Sequence, residues 1–154
     1  MHRIFFSIVF LTLAAAGPAF AAGQEVIFRE DAGLTKTEYL LTAGRYTAAI
    51  DTANEVLTRH PANADAYTYR GYAYGRLGQT AEAVRDFKRA LQADPAHLGA
   101  NKYLADTYLQ AGDVSRAIEQ MQVLRMTCGQ LGCEELDDLQ REIDQYKSGK
   151  EEKK

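Results

Sequence analysis

Glycine, alanine and proline return along this chain at one fixed interval. Gly44, Gly78 and Gly112 are 34 residues apart, Ala49, Ala83 and Ala117 keep the same spacing, and Pro61 and Pro95 continue into Gly129. Three columns holding one interval mark a repeat architecture, and a period of about 34 residues is that of a two-helix unit. A chain of this kind folds as a row of helical hairpins.

The middle unit, 64–97, shows how. Tyr67, Gly71, Tyr74 and Leu77 recur at helical spacing and predict one packing face, which Gly78 ends. Thr80 is placed to cap a second helix. That helix is predicted to bury Ala83, Val84, Phe87, Ala90 and Leu91, with Glu82, Arg85, Asp86, Lys88 and Arg89 in water. Pro95 blocks its continuation. Gly71 and Ala83 are small enough to let the two helices approach closely.

At these residues the sequence resembles the tetratricopeptide repeat family. The pattern W-x-x-L-G-x-x-Y, then A-x-x-x-F, then P is met by Tyr67, Gly71, Tyr74, Ala83, Phe87 and Pro95, with Arg70 where a leucine is usual. Unit 98–131 matches through Leu104, Ala105, Tyr108, Gly112, Ala117 and Met121. It has Asn101 for the large aromatic and Gly129 for the proline, and Asp113 can cap its second helix. Unit 30–63 matches in its second helix through Gly44, Ala49, Val56 and Pro61. Its first helix has Leu34, Leu40 and Leu41 as a packing face but departs from the pattern at Gly33, Lys36 and Thr37, as an atypical terminal repeat does. The resemblance implies an all-α fold, an α-solenoid of three antiparallel hairpins whose first helices line a concave face. It also implies a non-catalytic module that binds a peptide or extended protein segment.

A solenoid needs a cap for its last apolar side. Residues 133–147 are predicted to supply it as a helix: Leu136, Leu139, Ile143 and Tyr146 share one face, and Glu134, Glu135, Asp137 and Asp138 suit the positive end of the helix dipole. That acidic run lacks the ligand spacing and glycine of a calcium-binding loop. The charged end, 148–154, reads as a disordered tail.

The other end reads as an export signal. Arg3 precedes the apolar run 4–16, Gly17-Pro18 breaks it, and Ala19-Phe20-Ala21 has the form of a signal-peptidase site. Cleavage after residue 21 is expected, with an uncleaved anchor as the alternative. Export to the bacterial periplasm makes a disulfide between Cys128 and Cys133 the default. Their spacing is wider than C-x-x-C, and further zinc ligands are not nearby. A thiol–disulfide oxidoreductase working through these two cysteines is the competing functional reading.

Formal net charge is −3, which argues against nucleic-acid binding. Motifs for hydrolases, nucleotide binding and metalloproteases are missing, no cofactor or metal is expected, and His60 and His97 read as solvated loop histidines. The concave face can be enumerated from its offset to the packing face: Asp65, Tyr69, Tyr72 and Arg76 on the middle unit, and Lys102, Tyr103, Asp106 and Gln110 on the next. The tyrosines suit a peptide-binding surface, although they could also serve only to pack neighbouring helices. The family's carboxylate clamp, which grips a chaperone tail through lysines and asparagines, is not reproduced. Only Lys102 fits it, and Glu38 and Asp106 would repel a terminal carboxylate. The expected partner is an internal or non-acidic segment of a protein of the cell envelope.

Overall fold

The computed structural model describes residues 31–151; the export signal read at 1–21 lies outside them. Within this span the chain forms α1 (Ala32–Thr42), α2 (Tyr46–Arg59), α3 (Ala64–Arg76), α4 (Thr80–Ala93), α5 (Leu98–Gln110), α6 (Val114–Cys128) and α7 (Glu134–Glu151), with a 3₁₀ turn at Gly129–Leu131 before α7. Successive helices pack as hairpins α1/α2, α3/α4 and α5/α6, and the hairpins stack through α2 on α3 and α4 on α5. The first helices α1, α3 and α5, followed by α7, touch one another in a row. None of the described helices is long and apolar enough to cross a membrane.

The glycine column makes the hairpins alike. Gly44, Gly78 and Gly112 have φ of +68°, +75° and +79°, a left-handed turn open to glycine at little cost. Each turn is closed by the same pair of bonds. In the middle hairpin the Gly78 amide donates to the Gly75 carbonyl at 3.0 Å and the Gln79 amide to the Tyr74 carbonyl at 2.9 Å. Because that turn closes so tightly, Thr80 is already helical, and the N-cap position falls on Gln79, whose side chain makes no cap bond. Asp113 does cap α6, accepting the Arg116 amide at 3.0 Å.

Close approach falls at a different column in different hairpins. A Cβ on Gly71 would lie 2.8 Å from Phe87 Cε1 and 3.3 Å from the Ala83 carbonyl, so only glycine fits there without displacing α4. Thr37 and Ala105 occupy the equivalent positions, and both are buried. In the first hairpin the tightest contact has moved one turn earlier: a Cβ on Gly33 would meet Val56 Cγ2 at 2.6 Å. The departures of this terminal repeat are thus a different packing of α1 on α2.

Several sequence expectations are corrected. Leu77 is exposed, because α3 turns away there and buries Ala66, Thr68, Gly71 and Ala73 instead. Asp86 does not face water: it is 3% exposed and takes two bonds from Arg70, Nε to Oδ2 at 2.6 Å and Nη2 to Oδ1 at 2.8 Å. Asn101 is buried in place of an aromatic and donates through Nδ2 to the Pro95 and His97 carbonyls. His97 is not a solvated loop residue. Its Nδ1 accepts the Ala100 amide as the cap of α5, and its Nε2 lies 3.0 Å from Asp65 Oδ1. The last helix passes residue 147 and continues to Glu151, with the Ser148 hydroxyl bonded to the Asp144 carbonyl.

The largest core cluster runs from Ala83 and Phe87 through Leu104, Tyr108 and Leu124 to Leu139 and Ile143. The closing helix therefore belongs to the core. A disulfide joins Cys128 to Cys133 at the α6–α7 junction.

Candidate functional site

The row α1, α3, α5 and α7 presents one set of side chains repeatedly. Counting from the first residue of each helix, Tyr72 and Arg76 on α3, Asp106 and Gln110 on α5, and Glu142 and Tyr146 on α7 are eight and twelve positions along. These residues line a chain of three cavities. One, of about 210 Å³, is bounded by Glu38, Leu41 and Thr42 of α1 with Tyr69, Tyr72 and Tyr103. The next, about 320 Å³, lies between Tyr72, Arg76 and Phe87 on one side and Lys102, Tyr103, Asp106 and Gln110 on the other. The third, about 440 Å³, runs from Asp106, Leu109 and Gln110 to Glu142 and Tyr146 of α7. Neighbouring cavities share Tyr72 and Tyr103, then Asp106 and Gln110, so the three form one groove.

Seven of the eight residues read from sequence as the concave face meet here; Asp65 does not, being held at the start of α3 against His97. Cys128 and Cys133 lie at the far junction, outside the groove lining. Glu142 was not read as a groove residue, and Tyr146, read as part of the packing face of the closing helix, lines the groove as well. The signal that finds them is the offset of eight and twelve applied to α7 as a fourth first helix.

Aromatic rings form the floor of the groove. Tyr72 and Tyr103 have centroids 5.0 Å apart, and Phe87 lies 5.9 Å from Tyr103. The Arg76 guanidinium sits over both Tyr46 and Tyr72 and donates to the Tyr72 hydroxyl at 2.9 Å. Burial raises the Tyr103 hydroxyl pKa; Tyr72 pushes the same way, Lys102 opposes, and Asp106 and Glu135 add to the rise.

A compact charge cluster closes the α7 end. Lys102 Nζ donates to Asp106 Oδ2 at 2.9 Å and to Glu142 Oε1 at 3.1 Å, so one ammonium serves two carboxyls. Asp106 Oδ1 is buried with no donor among the described residues. Burial first, and then the neighbouring Glu142 carboxyl, push the Asp106 carboxyl up to about 7 against the pull of Lys102. Burial works against the charge on Glu142 as well, yet its bonds with Asp106 and Lys102 hold it below the usual carboxylate range. No cluster of His, Cys, Asp and Glu among the described residues could hold a metal ion.

Two sequence profiles described as tetratricopeptide repeat match residues 36–95 and 76–127, together more than half of the chain. The chain belongs to the tetratricopeptide repeat family. Repeats of this family are protein-interaction modules. A relative from Fusarium oxysporum f. sp. lycopersici, the tetratricopeptide repeat and J domain-containing co-chaperone DNJ1, is 31% identical over 116 residues, covering 70% of this chain and 22% of that protein. The chain spans a quarter or less of the length of the curated relatives it matches. Among solved structures, the Sgt2 TPR domain from Aspergillus fumigatus superposes with a TM-score of 0.67 at 24% identity, covering 78% of each chain. The second TPR of Spaghetti (RPAP3), solved bound to the HSP90 peptide SRMEEVD, gives a TM-score of 0.56 at 20% identity over 59% of this chain and 84% of that one. Both tetratricopeptide folds place their helices as this chain does.

Proposed function

We propose that this protein is a non-catalytic interaction module that holds an extended segment of a partner protein in the groove formed by α1, α3, α5 and α7, and that it acts in the bacterial periplasm. The groove reading is carried by its continuity: three joined cavities lined by four helices, with a tyrosine floor that offers large contact area and little side-chain entropy to lose. A segment bound by a family member has a precedent in the Spaghetti (RPAP3) structure with its HSP90 peptide. Periplasmic location rests on the apolar run 4–16 and Ala19-Phe20-Ala21, and the partner is then another protein of the cell envelope.

Capture of partners from an envelope extract by the parent and by single alanine variants at Tyr69, Tyr72, Arg76 and Tyr103 tests the groove. Loss of capture in these variants, with retention at Arg85 and Lys88 on α4, is the expected result; the reverse pattern places the site on the outer helices. Intact mass of the exported protein tests location. A chain starting at Ala22 is expected, and one that keeps residues 1–21 in the membrane fraction makes it an anchored protein.

A further inference from the structure

We propose that the α5–α7 end of the groove receives a lysine or arginine side chain of the bound segment, while an apolar side chain about three residues away sits on the tyrosine floor between α1, α3 and α5. This rests on the groove being the binding site and adds the chemistry of what it binds.

The charge balance of the lining carries the argument. Three carboxylates, Glu38, Asp106 and Glu142, face the groove with two cations, Lys102 and Arg76. Both cations are already engaged. Lys102 is divided between Asp106 and Glu142, and Arg76 is held over the rings of Tyr46 and Tyr72. An incoming carboxylate would meet no uncommitted positive group along this lining and would add a third acid beside two that already crowd one ammonium. An incoming cation meets the opposite situation: it favours the ionised form of Asp106, and two carboxylates on one ammonium then leave a unit of negative charge for it in a half-buried site. The site is also roomy on the correct side: Asp106 borders both the middle and the α7 cavities, and the Glu142 side chain is 42% exposed. A ligand ammonium or guanidinium entering there completes an alternating arrangement of two cations and two carboxylates. Spacing follows from geometry. Packed helices lie about 8–10 Å apart, and an extended chain of polyproline-II form advances about 3.1 Å per residue with three residues per turn, so side chains that enter adjacent cavities from one side of it are about three residues apart.

The test uses capped nine-residue peptides in a serine–glycine background, with leucine and, three residues on, lysine, glutamine or glutamate. Each is titrated into the ¹⁵N-labelled protein. The lysine peptide is expected to shift the amides of Tyr103, Asp106 and Glu142 and to bind about tenfold more tightly than the glutamine peptide, with glutamate weakest. The double variant D106N/E142Q should bring lysine and glutamine to equal affinity. E142Q alone, altered at the more exposed carboxylate, should narrow the gap about threefold and serves if the double variant fails to fold. Equal or tighter binding of the glutamate peptide, with the same amides shifting, overturns the proposal and leaves the groove standing. Absence of any lysine-dependent shift at about 1 mM peptide also overturns it. Shifts confined to α4, around Arg85 and Lys88, remove the groove reading itself.

Discussion

Two of the charge clusters that bridge helices among the described residues differ in completeness. Between α3 and α4, Arg70 grips both oxygens of Asp86 and reaches Asn54 Oδ1 at 2.5 Å, so each carboxylate oxygen has a donor. Between α5 and α7, Lys102 has two acids to serve and leaves Asp106 Oδ1 with no donor. The first cluster is bidentate and lines a separate cavity of about 170 Å³, outside the groove. The second borders two cavities. A closed pair positions helices; an unfinished one at a cavity wall is available to something arriving from outside.

The largest expected effect breaks the closed pair. Arg70→Leu restores the family's usual residue but strands a buried carboxylate, and should cost about 3–5 kcal/mol in urea unfolding. Adding Asp86→Leu to that variant should recover most of the loss, because two apolar side chains then replace two charges. A single variant as stable as the parent would mean that the pair does not hold α3 to α4. At the open cluster, Lys102→Met should cost only about 1–2 kcal/mol, since Asp106 can stay protonated once the ammonium is gone.

The smallest effect is a change of slope. With its pKa at about 7, Asp106 keeps a proton in the folded chain that the unfolded chain releases above its ordinary value of 3.8. Its contribution is full at low pH and is lost as pH rises through 7. Glu142, shifted downward, is ionised in both states above about pH 5.5 and adds no slope there. The groups bearing on the pair are Lys102 from α5 and Glu142 with Arg141 from α7. The melting temperature of the parent should therefore fall relative to Asp106→Asn between about pH 5.5 and 8. Parallel curves would show that the Asp106 carboxyl is not raised in the folded chain.

The hairpins were legible because their determinants are local. Gly44, Gly78 and Gly112 are demanded by a backbone angle, and a backbone angle leaves its mark at one position. Asp86 was misread because its partner is 16 residues back on another helix, and an acid among Glu82, Arg85 and Lys88 has the same local pattern whether wet or buried. His97 was misread for a similar reason: its bond to Asp65 spans 32 residues. In the groove, the residues of α3 and α5 followed from one helical offset. Those of α7 did not, because that helix starts 36 residues after α5 rather than 34, and the shift hides Glu142 and Tyr146 from the period.

The lone closing helix has one further consequence. Each hairpin contributes two helices, of which the first lines the groove, and α7 joins that row packed against both α5 and α6. A row with an extra end post has as many gaps as there are hairpins. The number of groove compartments thus scales with the array in whole steps, and inserting another 34-residue unit between residues 97 and 98 would add one compartment while both end pieces stayed as they are.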